Sequence, residues 1–488
     1  MDLRKFNIAI LIIAIFLMSS CSNANANQQE NKEIKEEVVY VDMSKEVELV
    51  NHIDFYERSN EFNENFKNEI KENTIYVKKD ETAIFKDKNQ KDKSFLKNKR
   101  DTLYLISESE KFYYVRDKFF SEKDGYILKE NVNKSLADFI VKKYKGVDYN
   151  FEMPTKNYES NSRVKAKGIY LTINTAISDK KINQLIEMAK KTEINTFVID
   201  VKNDSETFLY ESEVAKKYLD NPKYSSKDFK KIMEKLKEND IYTIARIVTF
   251  KSPKYAISNP KKAITYKGTN TVYKDGVYWA SAFDRELWDY NIELALEAAD
   301  YGFNEIQFDY VRFPALSSSK RNRLDLKNEK DESRTAAIQK FLQKAYKEIS
   351  KKEVYVAADI FGWTASSLGD EGIGQHWEGL VSVIDYSCPM IYPSHYGPYN
   401  FGLKVPDAKP YQTVYRSTQD AIDKNKNVKN PATLRPWIQD FTARWVKGYI
   451  YYGPKEVRAQ IDALKDLGVD EYILWSPSNR YTWEALKK

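Results

Sequence analysis

From Lys167 to the C-terminus, about 320 residues, short apolar runs alternate with amphipathic stretches, and this alternation limits the fold more tightly than any other feature. Eight runs have strand length and strand-like content: 168–173, 196–201, 242–248, 305–310, 354–360, 383–391, 436–441 and 472–475. Apolar residues at helical spacing fill many of the gaps, as at 181–191, 227–239, 287–301, 334–349 and 454–467. Strand and helix in turn predict an α/β fold with a parallel sheet. Eight such units in this length predict a closed (β/α)8 TIM barrel over residues 166–488. No glycine-rich phosphate loop follows the first run, which argues against an open dinucleotide-binding sheet.

Ahead of the barrel the chain changes character several times. Residues 1–21 read as a secretion signal, with Arg4 and Lys5, an apolar run over 8–18, and Ser19-Ser20-Cys21 at its end. Small residues before a cysteine resemble the bacterial lipobox, which implies a lipid on Cys21 and an exported protein anchored to the cell envelope. Residues 22–72 are polar and read as a tether followed by a short helix. Residues 73–135 carry short β-like runs at 74–77, 82–85, 102–107, 112–116 and 125–128, the spacing of a small all-β barrel. The closing DGYI at Asp124 resembles the end of bacterial SH3-like modules and implies a cell-wall or partner contact. Residues 136–165 read as a linker with a helix over 136–144.

Charge excludes one class of partner. The 78 basic and 72 acidic residues nearly balance, and no basic stripe with interleaved aromatics is present, so nucleic acid is not expected. Three histidines, His52, His376 and His395, are too scattered for a histidine-built metal site. With Cys21 assigned to the lipid, Cys388 has no disulfide partner and reads as core.

In a (β/α)8 barrel, chemistry sits where the strands end. Polar and aromatic residues stand at those ends: Asp200 on the second strand, Arg246 on the third, Asp309 and then Arg312 on the fourth, Asp359 and then Trp363 on the fifth. Tyr392 follows on the sixth, leading to His395, with Gln439 and Asp440 on the seventh and Trp475 on the eighth. Glu305, Gln307 and Asp309 alternate along one strand and share a face. Carboxylates with aromatic rings suit a sugar site, because the acids move protons or attack the anomeric carbon while rings stack on the sugar.

The segments GIYLT at Gly168, FVIDVKND at Phe197, ARIVTFK at Ala245, EIQFDYVRFP at Glu305, AADIFGW at Ala357, PMIYPSHY at Pro389, RPWIQDF at Arg435 and YILWSP at Tyr472 carry a family resemblance. Together they resemble a bacterial glycoside-hydrolase-like barrel family catalogued as a domain of unknown function. The resemblance implies a glycosidase-like (β/α)8 fold. Taken with the acids at the strand ends, it leads to the expectation of a glycosidase acting on a cell-envelope or extracellular polysaccharide, with Asp309 and Asp359 as the catalytic pair. Asp200, Arg246, Arg312, Trp363, Tyr392, Gln439, Asp440 and Trp475 are the expected substrate-binding residues. The chain is more distantly similar to chitinase-like barrels, whose D-x-D-x-E ladder ends in the catalytic acid. Here the ladder residues differ and Pro393 follows Tyr392, so a substrate-assisted mechanism is not carried over. Asp309 is read as nucleophile or base and Asp359 as acid, while the chitinase comparison reverses them. The competing readings are a glycan-binding lipoprotein without activity and a metal-dependent hydrolase. The favoured reading calls for no metal and no cofactor. Its partners are a polysaccharide, the membrane through Cys21 and the cell wall through the SH3-like module.

Overall fold

A computed structural model describes residues 74–98, 101–117, 123–134, 144–149, 151, 153 and 157–487. The signal with Cys21, the tether 22–72 and all but the last residue of the helix expected over 136–144 lie outside the described residues. Among the described residues no helix is long and apolar enough to cross a membrane.

The barrel strands are β1 (Lys167–Leu171), β2 (Thr196–Lys202), β3 (Tyr242–Val248), β4 (Glu305–Asp309), β5 (Tyr355–Phe361), β6 (Tyr386–Met390), β7 (Trp437–Gln439) and β8 (Tyr472–Trp475). Each pairs in parallel with the next, and β8 returns to β1, so eight strands close the ring. The main intervening helices are α1 (Asp179–Lys190), α2 (Lys230–Glu238), α3 (Arg285–Asp300), α4 (Arg334–Ile349), α5 (Trp377–Val381), α6 (Pro410–Asn425) and α7 (Pro454–Asp466). This is the (β/α)8 barrel expected from the alternation. The first, sixth and seventh strands are shorter than the apolar runs that announced them, because burial continues into turns. Ile173 opens a helical turn, Val383 lies ahead of β6, and Phe441 lies beyond β7.

Alternation along the strands fills the barrel interior in layers. Val198, Tyr242, Ile244, Tyr355, Ala357, Tyr386, Cys388 and Ile473 form its buried apolar part. At the N-terminal end of the strands lies a charged floor. Arg435 donates to Glu305 at 2.7 Å and to Glu471 at 2.8 Å, and Tyr242 donates to Glu305 at 3.2 Å. The segment 157–165, expected to be linker, closes this floor: Arg163 donates to Asp385 at 2.8 Å and lies 4.9 Å from the Tyr355 ring, and Tyr158 packs on the same ring.

The preceding module is a seven-stranded antiparallel sheet around Ile75, Val77, Ile84, Leu103, Tyr113, Val115, Ile127 and Val132. Two strands escaped the sequence reading, Lys93–Lys97 and Val132–Asn133, one polar and the other two residues long. The glycine of DGYI has a steric reason. A Cβ on Gly125 would meet the Phe85 carbonyl oxygen at 2.5 Å, so only glycine lets these strands cross so closely. The module meets the barrel through Tyr76, whose hydroxyl accepts a hydrogen bond from Arg416 on α6 and whose ring lies 4.8 Å from that guanidinium.

Candidate active site

The site grows from the ladder on β4. Glu305, Gln307 and Asp309 are all buried and face the barrel interior, so one strand runs from the floor to the mouth. At the mouth end the chain turns sharply. Tyr310 has φ 49°, strained for a tyrosine, and its N–H points back to Asp309 Oδ1. On β2 a register shift relative to β3 sets Asp200 opposite Arg246 and skips Val201. Lys202 is thereby fully buried, and it donates to Asn291 on α3 at 2.8 Å.

Arg246 is the hub. Its Nε donates to Asp309 Oδ2 at 3.0 Å, with a second bond from Nη2 to the same oxygen, and its Nη1 donates to Asp200 Oδ1 at 2.6 Å. Asp359 Oδ2 stands 4.0 Å from Arg246 Nε. The Oδ2 atoms of Asp309 and Asp359 therefore lie no more than about 7 Å apart, a bound that overlaps the range used by paired glycosidase carboxyls. The remaining oxygens are treated unequally. Tyr170 donates to Asp200 Oδ2 at 2.6 Å and Trp437 Nε1 donates to Asp359 Oδ1 at 2.5 Å, but among the described residues Asp359 Oδ2 has no hydrogen-bond donor. Asp359 is only 1% exposed, and burial followed by the nearby charge of Asp309 holds its carboxyl well above the usual range. Burial also raises Asp200, against the opposing pull of Arg246 and Tyr170.

Aromatic rings stand around this cluster. Trp475 stacks on Tyr170 at 4.2 Å, and Arg246 lies 5.5 Å and 5.6 Å from those two rings. Tyr392 lies 6.4 Å from Trp475, and burial, then the charges of Asp359 and Asp309, raise its hydroxyl. Nearby Lys251 pairs with Asp204 at 3.0 Å and lies 4.4 Å from the Tyr310 ring. Among the described residues no group of three or more His, Cys, Asp or Glu is arranged to hold a metal ion. A guanidinium sits between the acids instead. A hollow of about 190 Å³, lined by Tyr144, Glu332, Arg334 and Asp370 among others, includes none of these acids.

The structure thus brings Asp200, Arg246, Asp309, Asp359, Tyr392 and Trp475 together. The other expected residues lie differently. Arg312 donates to the Phe313 carbonyl at 3.0 Å and packs near Trp279 and Tyr310, not on Asp309. Trp363 packs 5.8 Å from Phe401. Gln439 bonds Asp407 and the backbone of Ser394 and Phe441, and Asp440 accepts from the backbone and hydroxyl of Thr482. Both therefore shape loops. Sequence reasoning missed Tyr170 and Trp437, which looked like ordinary strand aromatics. The signal was alternation: Trp437 falls between Arg435 and Gln439 on one face of its strand.

Residues 168–481 match the family described as "Putative glycosyl hydrolase domain". The chain belongs to that family. Among solved structures, it is 30% identical to a hypothetical protein from Ruminiclostridium thermocellum, over 39% of this chain and 96% of that one, with a TM-score of 0.35. The PgaB (BpsB) glycoside hydrolase domain from Bordetella bronchiseptica is 14% identical over 64% of this chain and 94% of its own, with a TM-score of 0.47. The spore cortex-lytic enzyme SleL from Bacillus megaterium is 13% identical over 66% and 74%, with a TM-score of 0.40. No curated protein matches the chain in sequence.

Proposed function

We propose that this member of the family hydrolyses a glycosidic bond in a cell-envelope or extracellular polysaccharide, with Asp359 as general acid and Asp309 as nucleophile or base. One observation carries the assignment: of two neighbouring carboxyls, Asp309 has the Arg246 counter-charge on its Oδ2, while Asp359 is buried with an Oδ2 to which no described residue donates. A carboxyl kept neutral in this way holds a proton ready for the leaving oxygen. Once that proton has left, Arg246 lies close enough to stabilise the new charge. Tyr170 and Asp200 hold the guanidinium in place from the other side.

The purified chain lacking residues 1–21, tested on peptidoglycan sacculi and a panel of polysaccharides, should release new reducing ends in the presence of chelator. Asp309→Asn should abolish the release. Tight glycan binding without cleavage, unchanged in Asp309→Asn, would overturn the enzymatic reading in favour of a binding lipoprotein. Location belongs to the same proposal. Cys21 carries a lipid and holds the protein at the envelope, with the antiparallel β module acting as an SH3-like contact to the wall. Labelled palmitate should enter the full chain and not a Cys21→Ala variant.

A further inference from the structure

We infer that the loop after β7, residues 440–453, is a ring-stacking platform that grips a linear polysaccharide on its way out of the acid cluster. The inference rests on the glycosidase reading for what happens at the acids, and on different atoms for the grip. Five of the fourteen residues in this loop are aromatic: Phe441, Trp445, Tyr449, Tyr451 and Tyr452. Two of them are turned to solvent, Trp445 at 47% and Tyr451 at 62% exposure. Exposed rings of this size, grouped on one loop, mark a surface that is covered in use.

What covers them follows from continuity. Trp475 and Tyr392 border the acid cluster. Tyr392 lies 6.2 Å from Phe441, and Phe441 stacks on Trp445 at 6.0 Å with 20° between the planes. A chain of rings thus leads from the reacting carboxyls to an exposed tryptophan. A linear glycan presents successive flat C–H faces, which suit rings in series.

The loop is also held in shape before any ligand arrives. Asp440 anchors its start to Thr482, Gln439 donates to the Phe441 carbonyl at 3.0 Å, and Tyr452 donates to the Asp407 carbonyl at 2.9 Å. Gly448, at φ 82°, makes the tight turn against Val405. Gln439 and Asp440 therefore serve the polymer indirectly, by fixing the rings. A pre-shaped surface loses less freedom on binding.

The experiment measures binding apart from cleavage. In the Asp309→Asn background, affinity for purified sacculi and for chitin-derived oligosaccharides of two and six units is compared between Trp445, Trp445→Phe and Trp445→Ala. Trp445→Ala should bind the long ligands about tenfold more weakly, Trp445→Phe should keep most of the affinity, and the two-unit ligand should be indifferent to all three. Circular dichroism should be unchanged, as the side chain is exposed; Tyr451→Ala provides a second variant should Trp445→Ala misfold. Equal binding by Trp445→Ala, an equal loss on the two-unit ligand, or no binding of any of these glycans overturns the inference. Failure of the unmutated chain to release reducing ends, with Trp445-dependent binding intact, overturns only the hydrolytic reading.

Discussion

The two ends of the barrel use the same vocabulary, and only one is built for chemistry. At the floor, Arg435 serves Glu305 and Glu471, and Arg163 serves Asp385. At the mouth, among the described residues, Arg246 alone pairs with Asp200, Asp309 and Asp359. The floor balances two guanidiniums against three carboxylates and covers them with Tyr158, Tyr355 and Tyr386. The mouth sets one guanidinium against three, leaves Asp359 Oδ2 without a donor, and rims the cluster with a half-buried tryptophan. A buried ion pair is therefore not a functional sign in itself; a deficit of partners at a strand's C-terminal end is.

The contrast breaks most easily on activity. Asp309→Asn and Asp359→Asn should each lower hydrolysis by about a thousandfold or more, as expected for loss of a nucleophile or a general acid. Asp359→Asn should keep the fold, since its amide oxygen can still accept from Trp437, whereas Asp309→Asn gives up either the Tyr310 N–H bond or the two from Arg246 and should lose some stability. At the floor the expectation reverses. Arg435→Met leaves Glu305 and Glu471 buried without their cation and should cost about 3–5 kcal/mol in urea unfolding. The kcat of whatever remains folded should stay within a few-fold of the parent. If Arg435→Met instead destroyed activity at full stability, the division of labour between the two ends would be wrong.

Protonation sharpens the same contrast. Burial first, and Asp309 second, raise Asp359 in the folded state above its unfolded value. A folded state that binds the proton more tightly is stabilised most at low pH, and that stabilisation is lost as pH rises from the unfolded pKa through the folded one. Asp359→Asn, which never ionises, should therefore gain stability relative to the parent as pH rises and lose the advantage below about pH 4. The alkaline limb of kcat/KM should follow the same carboxyl, because the acid must be protonated to act. An Asp359→Asn difference that did not vary with pH would show that this group is ionised at neutral pH and is no acid.

The fold was legible because a parallel barrel buries both faces of each strand, and eight apolar runs between amphipathic helices have few other solutions. The acid cluster was legible through Asp200, Arg246, Asp309 and Asp359, since charges inside apolar strands stand out. Gln439 and Asp440 looked the same in sequence, yet their bonds go to loop residues, Gln439 to Asp407 and the backbone of Ser394 and Phe441, and Asp440 to Thr482. Tyr170 and Trp437 were illegible for the opposite reason. An aromatic in a strand is core by default, and only the orientation of a neighbour's carboxyl turns its O–H or N–H into part of a site. Segment 157–165 hid in the same way, as a polar linker whose Arg163 and Tyr158 find partners only after the barrel has closed.

The smallest effect tests the meaning of an unpartnered atom. Among the described residues the Tyr158 hydroxyl at the floor is buried with no hydrogen-bond partner, just as Asp359 Oδ2 is at the mouth. If the floor is purely structural, that hydroxyl is a residual cost of filling space with a tyrosine. Tyr158→Phe keeps the ring against Tyr355 and removes the unpaired group, so stability should be unchanged or rise by up to about 1 kcal/mol. Activity should match the parent, since nothing links this hydroxyl to the reacting carboxyls. At the mouth the equivalent deletion, Asp359→Asn, is likewise tolerated by the fold but not by the reaction. A marked loss of stability in Tyr158→Phe would mean that the floor holds an ordered water on that hydroxyl. Orphan atoms would then mark hydration at both ends of the barrel, and the case for Asp359 would rest on its proximity to Asp309 and Arg246 alone.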